Sequence, residues 1–140
     1  MGMDTFGNLL DWGQVLESLE NLKRGKKLDD HQAGLARILR YGQNWRLLEA
    51  VLEHGKEVVA PSGEFLKAIC DVMNNRGIYV DARVLAVQTL ETLVPRMTGD
   101  RKGDGGASRN SVIQAMKALQ KSVEPPKFQE AIAQSLKVIS

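Results

Sequence analysis

A chain of 140 residues, 43% hydrophobic and 26% charged, carries enough apolar material for one core, which excludes a disordered chain as the working description. Nineteen Lys plus Arg against seventeen Asp plus Glu leave a formal charge of +2, too near balance to announce a polyanionic or membrane partner. One cysteine excludes an internal disulfide, and an aromatic content of 5% keeps any base- or sugar-stacking platform small.

The run Met1 to Asn8 lacks the basic head and apolar middle of a signal peptide. No stretch approaches the roughly 20 apolar residues of a membrane span. The expectation is therefore a cytoplasmic chain with no membrane partner, folded as a single domain over 1–140.

Apolar residues recur at intervals of three and four, the helical period. A first helix is predicted after Asp11 as N-cap, with Gln14 completing a capping-box pattern; its stripe is Trp12, Val15, Leu16, Leu19 and Leu22, and Gly25 ends it. Asp29 or Asp30 caps a second helix carrying Ala33, Ala36, Ile38 and Leu39, closed by Gly42 in the left-handed conformation. Asn44 caps a third with Leu47, Leu48, Val51 and Leu52, stopped at Gly55.

After Pro61, Ser62 caps a fourth helix, whose Phe65, Leu66, Ile69, Cys70 and Met73 share a face, and Asn74, Asn75 and Gly77 break it. Asp81 caps a fifth with Val84, Leu85, Val87, Leu90, Leu93 and Val94, and Pro95 makes continuation costly. Thr98 to Ser108 holds four glycines and no large apolar side chain, and reads as a flexible loop. Ser108 or Asn110 opens a sixth helix with Val112, Ile113, Met116 and Leu119. Glu124-Pro125-Pro126 starts a seventh, seamed by Phe128, Ile132, Leu136 and Ile139. No segment alternates long enough for a strand, so the fold class is all-α with about seven helices.

The cap positions Asn44, Asp81 and Glu124 lie 37 and 43 residues apart, near the period of about 40 to 47 of two-helix solenoid repeats. Asn44-Trp45-Arg46-Leu47-Leu48 aligns with Asp81-Ala82-Arg83-Val84-Leu85, each a cap, then an Arg, then two aliphatics. The run Asp81-Ala82-Arg83-Val84-Leu85-Ala86-Val87-Gln88-Thr89-Leu90-Glu91-Thr92-Leu93 resembles the second helix of a HEAT repeat. The resemblance to HEAT and armadillo-like helical proteins spans about residues 30 to 140 and is specific over that one helix. The Asn44 segment lacks a small residue matching Ala86, and the last helix has Lys127 where the pattern favours Arg. The resemblance implies αα-hairpins stacked as a short right-handed solenoid, with 1–28 as an N-terminal capping helix and 98–108 as an inter-helix loop. It also implies a ridge of second helices that binds another macromolecule. A compact helical bundle is the alternative arrangement of the same helices.

Cys70 sits inside an apolar stripe and reads as a buried thiol rather than a nucleophile. His31 and His54 have no second ligand at metal spacing. The glycine-rich loop lacks the Gly-Lys-Ser/Thr of a phosphate cradle. As a calcium loop from Asp100 it offers Asp104 and Gly105 but has Lys102 and Ser111 at ligand positions. Carboxylate pairs such as Glu49 with Glu53 read as solvated faces. No catalytic, cofactor or metal constellation emerges, and a glycosylase-like enzyme on a HEAT-like scaffold would need more Trp and Tyr than this chain has.

The expected function is thus a non-catalytic protein-interaction or scaffold module, with Trp45, Arg46, Tyr79 and Arg83 as partner-surface residues. The alternative is nucleic-acid binding through Lys23, Arg24, Lys26 and Lys27, joined by Arg37 and Arg40 on one face. Asp29 and Asp30, directly after the basic turn, weaken that anion site. Residues 98–140 add seven Lys or Arg against four Asp or Glu, so the charge is unevenly spread.

Overall fold

The structure, a computed structural model, describes residues 5–97 and 107–140. Within them the chain is all-helical: α1 Trp12–Arg24, α2 Gln32–Tyr41, α3 Trp45–Gly55, α4 Gly63–Asn74, α5 Val80–Leu93, α6 Arg109–Gln120 and α7 Pro126–Ile139. Short 3-10 turns at Leu28–His31 and Val94–Arg96 precede α2 and follow α5. Most of the glycine-rich loop, including Asp100 and Asp104, lies outside the described residues.

Several helix ends form for the local reasons that the sequence predicts. The Asn44 side chain accepts hydrogen bonds from the amides of Arg46 and Leu47, and Ser62 accepts from the Phe65 amide, so these caps satisfy two free donors at the start of α3 and one at the start of α4. Ser108 and Ser111 cap each other reciprocally at the start of α6. Gly42 ends α2 at φ 62, in the left-handed region where a side chain would be strained.

Other ends differ. Asp11 stands at the N-cap of α1, but its side chain makes no cap hydrogen bond, so the box with Gln14 is not formed. Asp29 and Asp30 do not cap α2; they lie in the 3-10 turn, and the Asp29 carboxylate instead accepts from the amides of Val59 and Ala60 at 2.9 and 2.7 Å. Gln32 adds bonds to the Ala60 carbonyl and the Ser62 amide, and Arg96 donates to the carbonyls of Lys56 and Val58. The connection between α3 and α4 is thereby clamped from both sides, which fixes one hairpin against the next. Asp81 is not the cap of α5, since the helix begins at Val80 with Tyr79 preceding it.

The end of α1 is displaced by one residue. Gly25 takes an ordinary helical φ of −80, while Lys26 adopts φ 56. The amides of Lys26 and Lys27 return to the carbonyls of Lys23 and Leu22, the double bond of a left-handed helix terminus. Lysine thus occupies the position where glycine is cheapest.

The helices pack in two rows. α1, α3, α5 and α7 neighbour one another in that order, α2 lies beside α4 and α4 beside α6, and α2 packs on α3, α4 on α5 and α6 on α7. Adjacent chain elements therefore form αα-hairpins set side by side. Phe65, Phe128, Leu19, Leu35, Leu52, Ile69, Leu90 and Leu93 are fully buried between the rows. Close approach is sharpest where α3 meets α4, because a Cβ on Gly55 would fall 2.8 Å from the Phe65 ring. Thr89 then joins α5 to α3 by donating to the Leu52 carbonyl at 2.9 Å.

The core face of α5 is broader than the predicted stripe. Ala82, Arg83, Ala86, Val87, Thr89, Leu90 and Leu93 are buried, whereas Val84 and Leu85 are only half-buried. α3, α4 and α7 all contact this helix, so it is covered on more than one side.

Candidate functional site

The helices of the first row run parallel, as their starts show. Arg46 in the first turn of α3 stacks on Trp12, the first residue of α1. Tyr79, just before α5, donates its hydroxyl to the Glu49 carboxylate on α3. Lys127 in the first turn of α7 reaches Asp81 in the first turn of α5 at 2.6 Å. One edge of the molecule thus collects four helix N-termini.

That edge also collects exposed apolar side chains. Among the described residues, the large apolar side chains that are exposed are Leu10, Trp12, Trp45, Val59, Tyr79, Val123 and Val138, and Trp12, Trp45 and Tyr79 stand at the starts of α1, α3 and α5 on this edge. Trp45 is 55% exposed and Trp12 38%. The sequence places Trp12 in the core stripe of α1. As the first residue of that helix, it instead projects beside Arg46.

The Arg46 guanidinium carbon lies 5.1 Å from the Trp12 ring centroid and 5.3 Å from that of Trp45. Such contacts are worth about 0.5–1 kcal/mol each at an exposed site. Glu49, three residues on along α3, is spaced to pair with Arg46. Its carboxylate is bound by Tyr79 instead, and burial together with this bond raises the tyrosine hydroxyl pKa above its ordinary value.

Trp45, Arg46 and Tyr79 therefore lie on the surface as the sequence predicts, but Arg83 does not. It is 2% exposed, its Nε donates to the Met73 carbonyl at the end of α4, and its Nη1 pairs with Glu124 at 2.9 Å. Its guanidinium carbon rests 4.1 Å from the Phe128 ring centroid. Glu124 also takes Arg76 at 3.0 Å, and its side chain is 1% exposed. The hydrogen bond from Arg83 leads the forces that hold the Glu124 carboxyl below its ordinary range, against the opposing effect of burial. Arg83 ties the end of α4 to the start of α7 and belongs to the scaffold.

The arginines of the basic set are engaged by the protein's own acceptors. Arg37 donates to the Gly7 carbonyl at 2.8 Å, Arg40 faces Glu64 on α4 at 3.6 Å, and Arg24 faces Glu20 at 3.6 Å. Lys23 and Lys26 border a cleft of about 260 Å³ with Leu28 and Val59, where Asp29 and Glu57 offset their charge. Lys27 is exposed in the same turn.

The remaining reactive groups are held inert. Burial pushes the Cys70 thiol up to about 12, so it carries almost no thiolate at neutral pH. His54 lies 3.4 Å from Glu20, yet burial and then Lys23 lower its pKa below the ordinary 6.5. Among the described residues, no group of three or more His, Cys, Asp and Glu side chains has metal-binding geometry, and no helix is long and apolar enough to cross a membrane. Comparisons with protein-family models, with curated proteins and with solved structures gave no match.

Proposed function

We propose that the chain is a non-catalytic protein-interaction module of the cytoplasm, a short HEAT-like stack of αα-hairpins that docks its partner on the edge formed by the starts of α1, α3 and α5. The observation that carries this reading is the pair of adjacent, exposed tryptophans, Trp12 and Trp45. Large indoles left in water forgo the stabilisation that burial would bring, and Trp, Tyr and Arg are the residues that most often dominate binding energy at interfaces. Trp45, Arg46 and Tyr79 supply all three types on helices fixed by a packed core. The nucleic-acid alternative is less favoured, because Arg37 and Arg40 are already engaged by the protein's own acceptors.

A photo-activatable residue in place of the exposed Gln43, two residues before Trp45, tests this. Cross-linking in cell extract is expected to attach one protein, through a defined peptide, in an amount reduced at least tenfold by Trp12→Ala, with the melting curve of that variant unchanged. Cross-links spread over many proteins and indifferent to Trp12→Ala would overturn the reading. A nucleic acid retained at low salt and lost on Lys23→Ala/Lys26→Ala would favour the alternative.

A further inference from the structure

Each arginine among the described residues except Arg46 has a protein acceptor. Arg24, Arg40, Arg76 and Arg83 face carboxylates, and Arg37, Arg96 and Arg109 donate to main-chain carbonyls. Arg46 has two aromatic faces and no acceptor. A guanidinium carries five donors in a planar fork, and leaving them all to water is ordinary for a mobile surface side chain. Arg46 is exposed as well, but the two indoles beside it restrict where its guanidinium can go and leave its donors as the part able to form hydrogen bonds. The one carboxylate spaced to take that edge, Glu49, is held by Tyr79. The guanidinium therefore lies beside two rings with its donors uncommitted to the protein, an arrangement suited to binding a two-oxygen anion.

The surroundings select the anion. A polyanion would need several cations in a row. Here Glu49 follows Arg46 by three residues along α3, and the basic turn at Lys23–Lys27 lies at the far end of α1, a helix of 13 residues and so about 20 Å long. One negative charge bordered by apolar groups fits better, since Trp12, at 38% exposure, and Trp45, at 55%, offer apolar surface beside the guanidinium.

We propose that Arg46, lying beside Trp12 and Trp45, recognises a single Asp or Glu carboxylate in an extended segment of the partner protein, with an adjacent apolar side chain of that segment resting on Trp45. This assignment rests on the interaction-module reading above and adds the chemistry of what that module binds.

Random linear peptides displayed on phage, panned on the full chain, provide the test. The enriched peptides are synthesised with the acidic residue intact or replaced by its amide, and affinities are read by fluorescence anisotropy on the native chain and on Arg46→Gln. The expected peptides pair Asp or Glu with a neighbouring aliphatic or aromatic residue. Amide replacement weakens binding to the native chain about tenfold or more, the range of a charge-assisted hydrogen bond. On Arg46→Gln the same replacement makes no further difference. Enriched peptides whose affinity ignores both the carboxylate and Arg46 overturn the carboxylate site and leave the module standing. Absence of enrichment counts against the site, and if the position-43 cross-link is also absent, the module falls with it. Binding of single-stranded oligonucleotide or phosphatidylserine vesicles that Arg46→Gln abolishes would reassign the fork to phosphate and overturn the proposal.

Discussion

The starts of α3 and α5 are neighbours in one row, and each places an arginine against an aromatic ring. Arg46 sits on two tryptophans at the surface, whereas Arg83 sits on Phe128 inside the molecule and is neutralised by Glu124. The difference comes from where each helix begins. Counting from the residue that precedes each helix, Asn44 and Tyr79, Arg46 is the second and Arg83 the fourth. Two residues along a helix turn a side chain by about 200°, to the opposite face. Arg83 therefore takes the inward position that Leu48 holds in α3, and a charge placed there must bring its counter-charge into the interior.

Removing the buried partner gives the largest expected effect. Arg83→Met leaves Glu124 buried with only the exposed Arg76, and should cost about 3–5 kcal/mol in urea denaturation. Adding Glu124→Leu should recover most of the loss, because an apolar pair no longer needs a counter-charge. Failure of the double variant to recover would mean that Arg83 acts mainly through the Met73 carbonyl.

On the same helix, Leu90→Ala should cost about 2–5 kcal/mol, since Leu90 is fully buried. A loss below about 1 kcal/mol would show that the core face of α5 is misassigned.

The pH dependence should separate the two regions further. The Glu124 carboxyl is held below its ordinary 4.5, so the unfolded chain takes up the proton first on acidification. Its contribution is complete above about pH 4.5 and is lost as pH falls through the lowered folded value. His54, lowered from 6.5, adds a second loss that begins as pH falls below 6.5. Glu124→Gln should flatten the lower window of a stability-versus-pH curve and His54→Gln the upper one, while Arg46→Gln changes neither.

The smallest effect is expected at the surface arginine. Arg46→Ala should shift stability by no more than about 1 kcal/mol, because only exposed stacking is lost. A larger loss would mean that the Trp12–Arg46–Trp45 stack holds α1 to α3 rather than serving a partner.

Short-range chemistry made much of the fold legible. Asn44, Ser62, Ser108 and Gly42 each act within three or four residues of themselves, and each helix end that depends on them lies where the sequence places it. Asp29 looks like a cap in sequence because its real acceptor role is to Val59 and Ala60, 30 and 31 residues on. Arg83 looks like a surface residue because Glu124, its counter-charge, is 41 residues away. The repeat-like alignment of the two arginines compounded this, since it took Asp81 for the cap that would have turned Arg83 outward. At the candidate site, Trp45, Arg46 and Tyr79 were visible as residue types, but Trp12 was hidden by fitting an apolar stripe.

Row-by-row packing has a kinetic consequence. Every pair of helices in substantial contact is one or two steps apart along the chain. Folding therefore closes only short loops, and rates should belong to the fast, locally connected class. Opening should also begin at the ends of the rows, since α1 has neighbours on one side while α5 meets α3, α4 and α7. Amide hydrogen exchange should show protection rising from α1 to a maximum in α4 and α5, so that the molecule opens from the ends of its rows rather than from the middle.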